Sequence, residues 1–217
     1  MSRVSTASVA PDLQVSPVEL PSARALTGPR GGLSGVPRDP ELNAHLHGVT
    51  AARVILFNPD NPAEVVMRQG KSGAYGLIGG GLLVGEHPVL CALREGREES
   101  RVRSFPNLGF VSVLVHETKG IWLNRSVWES WGYSSQGRAV EGDSIRVANI
   151  RTAIFSAPLS EPFRERTVEG RSVRLLDVSS PECAEQIRPM FQHLLGLWAD
   201  RLVNRSAIPP RIRYTRG

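Results

Sequence analysis

The sequence predicts a mixed α/β domain, and three observations predict it. Short runs rich in Val, Ile and Leu recur with turn residues between them, as at Ala51-Ala52-Arg53-Val54-Ile55-Leu56-Phe57 followed by Asn58-Pro59-Asp60-Asn61-Pro62. Between such runs His87-Pro88 opens a stretch of helix formers, with a cap residue followed by proline at the first helical position. Near the end, Ile187, Met190, Phe191, Leu194, Leu195, Trp198 and Leu202 repeat at helical spacing.

Taken in order, the elements divide the 217 residues into three parts. Residues 1–42 are rich in Pro, Ser, Gly and Ala, and read as an extended, partly disordered arm. It is suited to linking, to adding an edge strand or to reaching a second subunit, which leaves a homodimer open. Residues 43–203 form the folded domain. It begins with the strand at 51–57 and a second one, Glu64-Val65-Val66-Met67-Arg68-Gln69, the pair reading as a hairpin. A loop from Gly70 leads through Tyr75-Gly76-Leu77-Ile78 into Gly79-Gly80-Gly81. After the helix from Pro88 come a strand over 105–116 and an irregular region over 117–143 that holds Trp122, Trp128, Trp131 and Tyr133. A strand over 145–155, a loop, a strand at 173–178 and a helix over 182–203 complete the domain. Residues 204–217 form a basic tail.

Charge narrows the function classes. The tail carries Arg205, Arg211, Arg213 and Arg216 without an acid, and residues 1–40 add one net positive charge, so the remainder of the +5 chain is neutral. A neutral domain gives no support for a nucleic-acid partner. The first thirty residues lack an apolar signal core, and no run is long enough to span a membrane. Cys91 and Cys183, the only cysteines, lack metal-ligand spacing and point to a reducing cytoplasm.

The chemistry concentrates in residues 79–102. Glu95, Glu98 and Glu99 fall at i, i+3 and i+4 and leave one helical face together. Adjacent acids repel, and a hard divalent cation such as Mg²⁺ or Mn²⁺ reverses that cost. Gly80, Glu86, Arg94-Glu95, Glu98-Glu99 and Val102 together resemble the Nudix box, with Gly96 replacing an aliphatic residue and Arg101 replacing the terminal glycine.

The resemblance extends over roughly residues 47–200. It implies a Nudix-like α/β/α sandwich with a mixed β-sheet, and a metal-dependent enzyme that cleaves the pyrophosphate bond of a nucleoside diphosphate linked to another group or of a nucleoside triphosphate. It also implies Glu98 and Glu99 as metal ligands, Glu95 as a third ligand or the base, and a backbone carbonyl at Gly79 or Gly80. Arg94 is expected to orient Glu98, and Glu86 to brace the loop. Arg68, Lys71, Trp128 and Trp131 are candidates for contacting substrate. A further acid from outside the box is sought among Glu117, Glu141, Glu165 and Glu169, and His116 stands at a strand end. No residue pattern names the substrate. The rival reading is a Nudix module or regulator that binds a nucleotide without hydrolysing it; a third is an RNA 5′-end pyrophosphohydrolase.

Overall fold

The computed structural model describes Leu26 and residues 39–130, 135–136 and 138–203, with the backbone alone described for 117–121, 148–149 and 201–203. Most of the arm, the basic tail, Trp131 and the side chain of Glu117 lie outside the described residues.

Asp39 accepts from the N–H groups of Glu41 and Leu42 and so caps α1 (Pro40–Leu46). This helix begins within the stretch read as the arm, and its Leu42 and Leu46 are buried. Strands β1 (Ala51–Phe57), β2 (Glu64–Gln69) and β3 (Tyr75–Gly81) follow. β1 and β2 pair only at the tip, Leu56 with Val66, because β3 lies between them over the rest of their length. The loop expected from Gly70 to Gly76 ends before Tyr75, and the glycine run closes β3.

Helix α2 (Pro88–Ser100) leads to β4 (Gly109–Asn124), α3 (Arg125–Ser130), β5 (Val140–Glu141) and β6 (Ser144–Pro158). The region expected to be irregular is thus largely ordered: β4 continues to Asn124 and pairs with β6 through a bulge between Glu117 and Ile121. After β7 (Val173–Asp177), the single helix expected over 182–203 is two, α4 (Pro181–Ala184) and α5 (Pro189–Val203). Pro189 accounts for the break, since it has no N–H to continue a helix from α4 but is well placed to begin one.

The seven-stranded sheet runs β4-β6-β1-β3-β2-β7, with β5 added on β6. It is mixed, because β1 and β6 are parallel while the other neighbours are antiparallel. The period of two assigns each strand residue a face. Val54, Leu56, Val66, Ile78 and Phe155 join Leu42, Val89, Ala92 and Leu93 of α1 and α2 in one core. Ile55, Val65, Met67, Leu77 and Ile154 join Phe191, Leu194 and Leu195 of α5 in the other. Helices thus cover both faces, as the expected α/β/α sandwich requires.

Candidate active site

β3 and α2 build the site. His87 accepts from Val89 N–H through Nδ1 at 3.3 Å, and Pro88 starts the helix. Burial holds the His87 pKa below its ordinary value, which preserves the neutral ring needed as acceptor. From this cap, α2 directs Glu95 and Glu99 back towards the glycines of β3.

Two glycines are explained by close approach. A Cβ on Gly80 would lie 2.4 Å from Cδ of Glu95, so the carboxylate packs where any other side chain would begin. Gly79 has φ of 135°, and a Cβ there would meet the Ala52 carbonyl oxygen at 2.2 Å.

Arg94 organises the acids. Its Nε and Nη2 donate to the two oxygens of Glu86 at 2.8 and 2.9 Å, a bidentate pair, and Nη1 donates to Glu95 at 2.6 Å. The expected bond to Glu98 is present but long, 3.4 Å, so Glu86 and Glu95 are the principal partners. Nη2 also donates to the Gly81 carbonyl at 3.1 Å. The hydrogen bond to Glu86 leads in raising the Arg94 pKa, so the guanidinium stays charged. Glu86 also accepts from Leu83 N–H at 2.9 Å, within the loop before α2. Its partial burial would raise its pKa, but the Arg94 fork and the Leu83 bond outweigh that and hold it below the usual range.

Glu99 is held differently. It accepts from Gly79 N–H at 2.8 Å and pairs with Arg68 Nη1 at 2.7 Å, with only 13% and 11% of the Arg68 and Glu99 side chains exposed. Burial raises its pKa, opposed by the Gly79 bond and the charges of Arg68 and Arg53. Arg68, a candidate for contacting substrate, is the partner of a box glutamate. The sequence reading also missed Arg53, which donates to the carbonyls of Leu77, at 3.1 Å, and Gly79. Its available signal was a charged residue interrupting an otherwise apolar strand. Burial lowers its pKa, and the charge of Glu99 offsets part of that.

The other candidates separate. Lys71 is exposed in the turn between β2 and β3. Trp128, a candidate for contacting substrate, is only 4% exposed and packs with Ile145 and Val147, its ring covered by the Arg138 guanidinium at 4.7 Å. An apolar platform beneath α3 accounts for it. Glu141 and Glu165 are exposed, and Glu169 pairs with Arg171 at 2.7 Å. Cys91 is buried with its thiol near the Gly80 and Gly81 carbonyls, and burial pushes its pKa up to about 12.

Both departures from the box have local causes. A Cβ on Gly96 would lie 2.6 Å from the ring of buried Phe105, which fills the space an aliphatic residue would take. Arg101 adopts φ of 63°, so the left-handed C-cap survives without its glycine.

The donor set suits a hard cation in kind, being carboxylate oxygens packed against the Gly79–Gly80 backbone. Among the described residues, however, no three acidic, histidine or cysteine side chains are grouped as a metal site. Arg94 and Arg68 supply the positive charge between the acids.

A sheet covered by helices on both faces, with a glycine strand leading into a glutamate-bearing helix, defines an α/β/α protein whose acids are gathered at one strand end. The NUDIX domain matches residues 48–146, and the chain carries a Nudix domain. A C. elegans Ap4A hydrolase in a binary complex is similar at 14% identity over 72% of this chain and 98% of that one, with a TM-score of 0.41. The NUDIX domain of Shewanella oneidensis NrtR, complexed with ADP ribose, is similar at 15% identity over 76% and 94%, with a TM-score of 0.48. RenU, a Nudix hydrolase from M. smegmatis, is similar at 17% identity over 74% and 88%, with a TM-score of 0.42. No curated protein matches the sequence. Among the described residues, no helix is long and apolar enough to cross a membrane.

Proposed function

We propose that this protein is a divalent-metal-dependent hydrolase that cleaves a pyrophosphate bond in a nucleoside diphosphate linked to another group or in a nucleoside triphosphate. The observation that carries the reading is the placement of Glu95 and Glu99 against the Gly79–Gly80 backbone, with Glu98 beside them. Glu95, Glu98 and Glu99, with the Gly80 carbonyl, are the groups that would hold Mg²⁺ or Mn²⁺. Such a cation neutralises charge on phosphate oxygens and lowers the pKa of a bound water.

The chain's own residues do the positioning. Glu86 fixes the Arg94 fork, and Arg94 fixes one oxygen of Glu95. Gly80 lets that carboxylate rest on the backbone, where it serves as ligand or takes a proton from water. Glu98, with 57% of its side chain exposed, is the box acid most open to an incoming phosphate-bound cation. Arg53 and Arg68 offset charge on the buried side. The two unpaired cysteines accord with a cytoplasmic location.

The test is Mg²⁺- or Mn²⁺-dependent release of phosphate or nucleoside monophosphate across a panel of diphosphate compounds, with Glu98→Gln and Glu99→Gln as controls. Equal release by the controls would sink the reading. The rival, a nucleotide-binding module without turnover, draws support from Glu99, both of whose oxygens are engaged by the chain. Calorimetric binding of a nucleotide by metal-loaded protein, with no product, would favour that rival.

A further inference from the structure

At the C-terminal end of α2, away from the carboxylates, the chain forms a concave feature. A cleft of about 410 Å³ is lined by Arg97, Arg101, Arg103, Arg164 and Glu161. Four arginines against one glutamate give the lining a formal charge of +3. Glu161 directs Oε1 at the N–H groups of Arg103, at 2.5 Å, and Ser104, at 3.1 Å. Among the described residues, none of the four guanidiniums makes an ion pair.

The walls are tied together before any ligand arrives. Arg164 N–H donates to the Ser100 carbonyl at 3.0 Å, Ser160 Oγ to the Ser104 carbonyl at 2.9 Å, and Arg97 Nε to the Arg103 carbonyl at 3.2 Å. The helix dipole favours cations near its C-terminus, which suffices for Arg97. It does not account for Arg164, which arrives from the segment after β6. Nor does it account for Arg101, whose left-handed backbone strains an L-residue where glycine would not be strained.

We propose that this cleft is a second anion site, taking a small multiply charged phosphate compound such as pyrophosphate or the phosphate tail of a nucleotide. The volume falls within the range of about 300–1,000 Å³ typical of small-ligand pockets. Guanidinium forks match phosphate oxygens, and a di- or triphosphate carries enough charge to neutralise the lining. The site is independent of the carboxylates that would hold a metal.

The test uses the full chain in chelator-treated buffer, titrated calorimetrically with inorganic pyrophosphate, inorganic phosphate and sulfate at constant ionic strength. Pyrophosphate binds most tightly, and Glu98→Gln leaves its affinity unchanged. Arg164→Ala and Arg101→Gly each weaken it about tenfold, the loss expected for one charged hydrogen-bonding partner. Arg101→Gly meanwhile melts at a higher temperature than the parent without anion, which separates loss of binding from loss of fold. The proposal is overturned if both variants bind pyrophosphate within about twofold of the parent, if sulfate binds equally well, or if wild type binds none of the anions. Tighter capture of a single-stranded oligonucleotide, lost in the same variants, would overturn the small-anion assignment.

Discussion

Replacing Arg68 by methionine keeps most of the side-chain stem and removes the charge that faces Glu99. The pair is a single bond of 2.7 Å between side chains that are almost entirely covered. Without Arg68, the Glu99 carboxylate keeps the Gly79 N–H at 2.8 Å and the more distant charge of Arg53. Removing one partner of a buried pair costs about 3–5 kcal/mol, and the remaining contacts place this one near 3. For a chain of this size that is a fall in Tm of about 6–12 °C. Thermal and urea unfolding in chelator should show the full loss. With saturating Mg²⁺ or Mn²⁺, a cation bound by Glu99 replaces the missing guanidinium, and at least about half the loss should be recovered through preferential binding to the native state. An equal loss with and without the cation would refute the assignment of Glu99 as a metal ligand.

Three further outcomes follow from particular contacts. Gly80→Ala should retain the native circular dichroism spectrum yet lower kcat by about tenfold or more, because its Cβ displaces the Glu95 carboxylate. Gly96→Ala gains about 1 kcal/mol of helix propensity but forces the Phe105 ring aside, costing about 1–3 kcal/mol, so urea unfolding should show net destabilisation that Phe105→Leu relieves. His87 binds its proton less readily folded than unfolded, so stability rises with pH between its depressed folded pKa and the ordinary 6.5. Acidification from 7.5 to 5 should therefore destabilise the parent more than His87→Asn, read from paired urea titrations.

Much of this was legible because local patterns were sufficient. The alternation in Val54-Ile55-Leu56 assigns residues to the two cores, and the i, i+3, i+4 acids of α2 define its site face. What escaped was non-local. The sequence places Glu99 beside Glu98, but its partner Arg68 comes from β2, thirty-one positions earlier. Gly96 reads as a weak point in a helix until Phe105, beyond the helix end, is seen to occupy its space. Trp128 among polar residues resembles an exposed platform, whereas the strand bearing Ile145 and Val147 buries it. Pro189 was a local signal of a helix boundary, overridden by an apolar stripe that Ile187 shares with α5 despite standing outside it.

The mixed sheet also orders assembly. β1, β2, β3 and α2 occupy residues 51–100, and their pairings, such as Met67 with Leu77, close short loops. The parallel pairing of Ala51 with Thr152 must instead span about a hundred residues. Loop-closure entropy favours the short pairings first. Every carboxylate of the box and all three arginines around it lie within residues 51–100, so none of their ion pairs depends on a residue of the β4–β6 ribbon. The acids thus draw their counter-charges from their own stretch of chain.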